Sequence, residues 1–226
     1  MVEKMNYVSY EMKIKGVIFD LDGTLANTLP LCIQAFRASV QPLVRRAVSD
    51  EEIVATFGPS EEGTIMALAP DDYDAGIAAY LQHYAALHTV CPVPFEGIPE
   101  LLETLKQKDV ALAMVTGKGK HSTAISLDHY FRLGDYFSPI ETGSPLGPRK
   151  TQGIQAVLDG WPGMAKQEVI YVGDAPSDIT ASRQAGIPVV AAAWAATADA
   201  GLLRLMNPDV LFYTIPDFAE WLIRRV

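Results

Sequence analysis

The segment GVIFDLDGTLANT, residues 16–28, decides the fold class, because an apolar strand in it runs directly into two carboxylates. The apolar run ends at Phe19, and Asp20, Asp22 and Gly23 follow within four residues. Carboxylates this close repel each other, and burying them adds a desolvation cost. The sequence therefore predicts that a positive charge from elsewhere in the chain stabilises the pair.

Composition indicates an ordinary soluble globular protein of 226 residues, 49% hydrophobic and 20% charged. The net charge of −9 disfavours nucleic-acid binding, which requires clustered Lys and Arg side chains. Cys32 and Cys91 match no disulfide framework or metal-ligand spacing, so we expect small core residues in a reduced, cytoplasmic protein. No stretch reaches the roughly 18 to 20 apolar residues of a membrane-spanning helix, so we expect no membrane anchor.

From about residue 95 onward, short β-branched runs alternate with helical stretches. This alternation predicts βαβ units and a parallel sheet with helices on both faces. The strand from Lys15 to Phe19 belongs to the same sheet, and the reactive groups of such sheets gather beyond the carboxyl ends of the strands. The other predicted strands are VALAMVTG (110–117), EVIYVGD (168–174), IPVVAAA (187–193) and VLFY (210–213).

Between residues 27 and 94 the pattern changes to one helix after another, with no convincing strand. The insert starts directly after the carboxylates of the first strand, and prolines in CPVPFEG return the chain to the sheet. We therefore expect a core domain of residues 1–26 and 95–226, and a helical cap domain of residues 27–94 that acts as a lid over the site.

Three further segments bring polar groups to the same edge of the predicted sheet. ALAMVTGKGK ends a strand at Thr116 and Gly117, VIYVGDAPSD contributes Asp174 and Asp178, and GPRKT places Lys150 before a helix. With the two carboxylates of the first strand, four carboxylates surround one lysine and remain net negative. A hard divalent cation relieves that repulsion, and Mg²⁺ fits best because it takes one or two carboxylates plus phosphate oxygens.

These motifs resemble those of the haloacid dehalogenase superfamily of hydrolases, in the subgroup similar to phosphoglycolate phosphatase and β-phosphoglucomutase. DLDGT matches the first family motif, VTG the second, Lys150 the third and GDAPSD the fourth. The resemblance covers residues 14–226. It implies an α/β fold with a Rossmann-like parallel sheet core and a small helical cap domain inserted after the first strand.

The resemblance also implies a role for each matched residue. Asp20 would be the nucleophile that forms an aspartyl-phosphate, since a carboxylate is already ionised at neutral pH. Asp22 would protonate the leaving oxygen and then deprotonate the attacking water. The groups that would hold the phosphoryl oxygens are Gly23, Thr116, Gly117 and Lys150.

The implied metal site involves the acidic residues of two motifs. Mg²⁺ would lie between Asp20, the backbone carbonyl of Asp22 and Asp174. Asp178 would orient Lys150 or the waters of the metal. Lys150 has a rival cation in its neighbour Arg149, and the proline that usually follows the lysine in the family is absent.

The activity implied is magnesium-dependent hydrolysis of a phosphate monoester of a small metabolite, by a monomer or homodimer. Inorganic pyrophosphatase stays as an alternative. A sugar phosphomutase is disfavoured, because Cys32 stands roughly where those relatives carry a histidine. Asp22 disfavours a dehalogenase, and the lack of any lysine within 27–94 disfavours cleavage of a carbon–phosphorus bond. A non-catalytic binding module would have lost Asp20 or Asp174, and both are present.

The segment GPSEEG, residues 58–63, is predicted to be the substrate-facing loop of the cap and to help choose the leaving group. One of its glutamates would disfavour a second anionic group and favour a hydroxyl-rich or amine-bearing leaving group. The structural alternative is that Ser60 caps a helix, while Glu61 and Glu62 offset the helix dipole in its first turn. Lys118 and Lys120 are predicted to be solvated residues at a helix start.

Overall fold

A parallel β-sheet organises the chain in the computed structural model, which describes residues 3–4 and 13–226. The strands are β1 (Glu3–Lys4), β2 (Gly16–Phe19), β3 (Ala111–Val115), β4 (Ile140–Glu141), β5 (Val169–Gly173), β6 (Val189–Ala192) and β7 (Val210–Phe212). Their order across the sheet is β1-β7-β6-β5-β2-β3-β4. All neighbouring pairs are parallel except β1 and β7, which are antiparallel.

Helices connect the parallel strands, as such crossovers require. Those of the first half are α1 (Leu29–Val44), α2 (Asp50–Val54), α3 (Glu61–Leu68), α4 (Tyr73–Leu87) and α5 (Ile98–Gln107). Those of the second half are α6 (Lys120–Ala124), α7 (Lys150–Gly160), α8 (Pro176–Ala185), α9 (Ala200–Leu205) and α10 (Ile215–Ile223). None of the helices in the described part of the chain combines the length and the apolar character needed to cross a membrane.

Strand β2 lies at the centre of the sheet, between β3 and β5, and all four of its residues are buried. Val17 and Phe19 pack into the largest hydrophobic cluster, whereas Ile18 packs into a second cluster on the other face. This alternation follows from the two-residue period of a strand. The central position explains why the strand is a continuous apolar run, since both of its faces are covered.

Helices α1 to α4 follow β2 directly, and the structure assigns no strand to residues 29–90, all of which it describes. Helices α1 and α4 pack on each other through aromatic side chains. The rings of Phe36 and Tyr80 lie 4.3 Å apart, and those of Tyr80 and Tyr84 lie 5.7 Å apart. Proline at the first turn of α1 suits a helix start, because its missing N–H has no partner there in any case.

Two elements that follow β3 are irregular or short. The stretch HSTAISLDHYF, residues 121–131, is one of the helical stretches that alternate with strands after residue 95, and it is formed by α6 and a π-helical segment, Ile125–Phe131, that follows it. Strand β4 has only two residues and pairs with the end of β3. A strand this short contains too few residues for an alternating pattern to be recognised.

We expect Phe19→Ala to lower the free energy of unfolding by about 3 to 5 kcal/mol, because the ring is fully buried and leaves a cavity. The ring has edge-on contacts with Phe137 and Phe218, at centroid distances of 6.3 and 6.4 Å. Urea unfolding measures the change. Leu146→Ala, at a side chain that is 94% exposed, is the control and should change stability by no more than about 0.5 kcal/mol. Equal effects of the two substitutions would contradict this account of the core.

Candidate active site

Three buried or half-buried carboxylates meet at the carboxyl edge of the sheet. Oxygens of Asp20, Asp174 and Asp178 all lie within 4.8 Å of one another. The ammonium group of Lys150 lies 2.7 Å from Asp20 Oδ2 and 2.6 Å from Asp178 Oδ1. The edge predicted from the ends of β2 and β5 therefore brings these four residues together.

Local backbone geometry holds Asp20 in this cluster. The Asp20 N–H donates to the carbonyl of Val172 at 2.9 Å, which extends the pairing of β2 with β5. The next amide, of Leu21, donates to Asp20 Oδ1 at 2.8 Å. Gly23 has a φ of +75°, and a Cβ at that position would clash with the Asp174 carboxylate. A glycine is therefore needed for the loop to turn this close to Asp174.

Asp178 is fully buried and is fixed by several donors. It lies in the first turn of α8, where its Oδ2 accepts from the Ala175 amide at 2.9 Å. Its Oδ1 accepts from the hydroxyl of Tyr171 at 3.1 Å and from Lys150. A carboxylate in the first turn is also favoured by the helix dipole. Asp178 therefore forms a fixed anchor for Lys150.

The electrostatics of the cluster leave negative charge uncompensated. Burial raises the pKa of Asp20 to about 6, although Lys150 opposes the rise. Burial, followed by the charges of Asp178 and Asp20, raises the pKa of Asp174 to about 8. Burial alone would lower the pKa of Lys150, but its two carboxylate neighbours outweigh burial and raise it above its usual value. Three oxygen donors with this shortage of positive charge fit a hard divalent cation.

Thr116 and Gly117 lie beside this cluster at the end of β3, and both line the same cavity. The Thr116 amide donates to the Glu141 carbonyl at 3.0 Å. The Thr116 hydroxyl oxygen accepts a hydrogen bond from the amide of Lys118 at 3.2 Å. Arg149, the rival of Lys150, pairs instead with Glu141 at 3.2 Å and is exposed. Lys150 is thus the cation that reaches the carboxylates.

The prediction that Lys118 is solvated is wrong, whereas Lys120 is exposed as predicted. The Lys118 side chain is 1% exposed, and its ammonium lies 3.2 Å from an oxygen of Asp22. It also lies 3.2 Å from Cys32 Sγ and 4.5 Å from the centre of the Tyr84 ring. The loop after β3 faces helices α1 and α4 rather than water, and a buried lysine there requires carboxylate partners.

Asp22 lies outside the carboxylate cluster and has its own partners. The Thr28 hydroxyl and the Lys118 ammonium both donate to its carboxylate. Burial lowers the pKa of Lys118, but the surrounding groups, Asp22 foremost, together outweigh burial and hold that pKa well above its usual value. The two carboxylates of the first motif are therefore stabilised by two different lysines, Lys150 for Asp20 and Lys118 for Asp22.

Glu61, the first residue of α3, is buried against the core. Its carboxylate accepts hydrogen bonds from the Gly119 amide and the Ser122 hydroxyl, and it lies 3.7 Å from Lys118 Nζ. Burial raises the pKa of Glu61, and Lys118 opposes that rise. Ser60 has the backbone conformation of an N-cap, but its hydroxyl donates to Glu62 and makes no cap bond.

A cavity of about 420 Å³ opens onto the carboxylates and lysines described above. All the residues predicted for the phosphate site line it. Helices of the 29–87 region supply apolar walls, namely Leu29, Cys32, Phe36, Val54 and Tyr80. Gly58, Pro59 and Glu61 of the predicted substrate-facing loop line it as well, whereas Glu62 does not. Cys32 is buried as predicted.

Lys118 is the cavity residue whose environment the sequence pattern did not reveal. No signal in the sequence singles it out, because the 27–94 region, which contains no lysine, still offers Arg37, Arg45 and Arg46 as sources of a cation for Glu61. Lys118, two residues beyond Thr116, is the lysine that supplies it.

Residues 17–192 match the family model described as haloacid dehalogenase-like hydrolase. The chain belongs to this family. It is therefore an enzyme, a hydrolase, and the family predicted from the four motifs is confirmed. The predicted α/β fold, with a parallel sheet and a helical insertion after the strand that carries Asp20, is confirmed too.

Several relatives match most of the chain. A pyrophosphatase PpaX from Halalkalibacterium halodurans is 27% identical over 214 residues, which are 92% of this chain and 97% of that protein. A phosphoglycolate phosphatase from Thiobacillus denitrificans is 31% identical over 192 residues, 80% of this chain and 84% of that protein. A solved haloacid dehalogenase-like hydrolase from Streptococcus pneumoniae superposes with a TM-score of 0.72 at 25% identity, covering 92% of this chain and 98% of that one.

We expect the stability of the protein in EDTA to fall as the pH rises, because the folded state holds a proton on Asp174 up to about pH 8. A raised carboxyl pKa contributes stability that is complete below the ordinary value of 3.8 and is lost as the pH rises through about 8. In Asp174→Asn the free energy of unfolding should therefore decline less with pH, and this variant should be more stable than the wild type at alkaline pH. Urea unfolding at a series of pH values from about 4 to about 9 measures this free energy.

The control is Asp71→Asn, at an exposed carboxylate, which should keep the wild-type pH dependence. A decline as steep in Asp174→Asn as in the wild type would show that Asp174 is not the group responsible.

Proposed function

We propose that the protein is a magnesium-dependent phosphatase, which hydrolyses the phosphate monoester of a small metabolite through an aspartyl-phosphate. The observation that carries this proposal is the partly buried contact of Asp20 with Lys150, 2.7 Å long, beside Asp174 and at the floor of the cavity. This arrangement provides an ionised nucleophile next to a cation that can receive phosphoryl charge.

The proposed metal ligands are Asp20, Asp174 and the backbone carbonyl of Asp22. The raised pKa values of the two carboxyls support this assignment, since they reflect burial first and then the neighbouring carboxylate charges, which a bound cation would offset. When bound, Mg²⁺ supplies positive charge that lets phosphate approach these carboxylates. Asp178 would orient Lys150, to which it is bound at 2.6 Å.

In the first proposed step, an oxygen of Asp20 attacks phosphorus, and the bond from phosphorus to the leaving oxygen breaks. Asp22 donates its proton to that oxygen, so that a neutral alcohol leaves. In the second step, Asp22 takes a proton from water as the water attacks the aspartyl-phosphate, which releases phosphate and restores Asp20. Thr28 and Lys118, which donate to the Asp22 carboxylate, would hold it toward the cavity.

The proposed phosphate donors are the hydroxyl of Thr116, the amide of Gly117 and the ammonium of Lys150, with Gly23 leaving space for the approach. All four residues line the cavity. Donors fixed in advance around the place where charge develops lower the barrier, because they need no reorganisation during the reaction.

We also propose the domain division predicted above, with residues 27–94 as a cap over a core of residues 1–26 and 95–226. Helices of this segment wall the cavity, and Glu61 at the start of α3 bonds to Gly119 and Ser122 of the core. Such a cap would exclude water from the aspartyl-phosphate while the leaving group departs.

Inorganic pyrophosphatase is the second candidate, because the Halalkalibacterium halodurans relative carries that name. Phosphoglycolate is a possible monoester by the same kind of argument from the Thiobacillus denitrificans relative. A phosphomutase is not favoured, since the described residues that line the cavity include Cys32 and no histidine.

We expect hydrolysis of para-nitrophenyl phosphate to require Mg²⁺ and to fall at least about a thousandfold in Asp20→Asn, because the nucleophile is lost. Initial rates with added Mg²⁺ or EDTA measure both effects, and Asp71→Asn should keep the wild-type rate within about twofold. Full turnover in EDTA, or an Asp20→Asn enzyme as active as the wild type, would disprove the proposed function.

A further inference from the structure

The cavity has two chemically different sides. Its floor carries the phosphate groups described above, at the ends of β2, β3 and β5. The opposite side, where a leaving group would lie, is formed by helices of the 29–87 region and is mainly apolar. Its apolar members are Leu29, Cys32, Phe36, Val54, Phe57 and Tyr80.

The charged groups on the leaving-group side are already paired with one another. Lys118 Nζ lies 3.2 Å from Asp22 and 3.7 Å from Glu61, and it contacts Cys32 Sγ. An ammonium group has three N–H donors, and the Tyr84 ring covers a further side of it. The hydrogen bonds of Lys118 thus go to Asp22 and Cys32, and its charge is already paired with the carboxylates of Asp22 and Glu61.

Glu61 is held rigidly in the cavity wall. The Gly119 amide and the Ser122 hydroxyl both donate to its carboxylate, so it cannot turn away from an approaching group. Among the described residues that line the cavity, the cations are Lys118 and Lys150, and each is already bound to two carboxylates. A second anion on the substrate would thus face the Glu61 carboxylate with no unpaired cation among these residues.

From this arrangement we infer that the substrate is the phosphate monoester of an uncharged alcohol, and that Glu61 is the residue that rejects a second negative charge. The inference rests on the proposed phosphatase function and names the class of its substrate. It sets this chain apart from an enzyme for phosphoglycolate or pyrophosphate, because both compounds place a second anion on the leaving group.

The test compares two pairs of substrates that differ in charge and little in shape. They are para-carbamoylphenyl phosphate with para-carboxyphenyl phosphate, and phosphooxyacetamide with phosphoglycolate. We expect kcat/KM to be at least about tenfold higher for the amide of each pair, because a carboxylate is repelled at short range. Equal values, a preference for the carboxylates, or faster hydrolysis of pyrophosphate than of the amides would overturn the inference.

Variants test the assignment to Glu61. Glu61→Gln removes the fixed charge and should bring the amide-to-carboxylate ratio toward one, whereas Glu62→Gln, one residue along but outside the cavity wall, should keep the ratio within about twofold. An unchanged ratio in Glu61→Gln would show that another group rejects the anion. If that variant does not fold, the wild-type pairs still decide the substrate class.

The two proposals fail in different ways. Loss of the phosphatase proposal would appear as magnesium-independent or Asp20-independent turnover of the amide substrates. Loss of the specificity proposal would appear as metal-dependent, Asp20-dependent turnover with no preference between amide and carboxylate.

Discussion

Lys150 lies between two buried carboxylates, 2.7 Å from Asp20 and 2.6 Å from Asp178, and so ties together β2, α7 and α8. Its position is unfavourable for the helix itself, because Lys150 is the first residue of α7 and a cation there opposes the helix dipole. Removing it would leave two buried carboxylates unpaired, which costs far more than the dipole effect. Helix α7 therefore begins with a cation because the carboxylates at the sheet edge require one there, although the helix dipole disfavours it.

A second lysine repeats this arrangement on the other side of the cavity. Lys118 bridges Asp22 and Glu61, as Lys150 bridges Asp20 and Asp178. The two carboxylates of the first motif, only two residues apart, are thus stabilised separately. Lys150 lies among elements of the core. Lys118 lies where the core meets α3. The contact of Glu61 with Lys118 therefore links the position of α3 to the environment of Asp22.

Much of this arrangement could be predicted from the sequence, because it depends on short-range patterns. The buried strands β2, β3 and β5 are continuous apolar runs, and the carboxyl ends of parallel strands must share an edge. The burial of Lys118 could not be predicted in that way. It depends on Glu61, which is distant in the chain and looks locally like an ordinary acidic residue in a first helical turn. Strand β4, with two residues, is defined only by its pairing with β3.

The leaving-group side of the cavity gains its neutral character from burial as well as from charge pairing. Burial raises the pKa of the Cys32 thiol to about 12, despite the nearby Lys118, so the thiol stays protonated at neutral pH. Burial likewise holds the pKa of Tyr80 well above its usual value. Neither group can then add a charge that would attract an ionic leaving group, or act as a proton donor in the manner of a histidine. Under the proposed function, charge therefore acts on the phosphoryl group at the floor and, through Glu61, against a second anion, while the apolar surface contacts the uncharged alcohol.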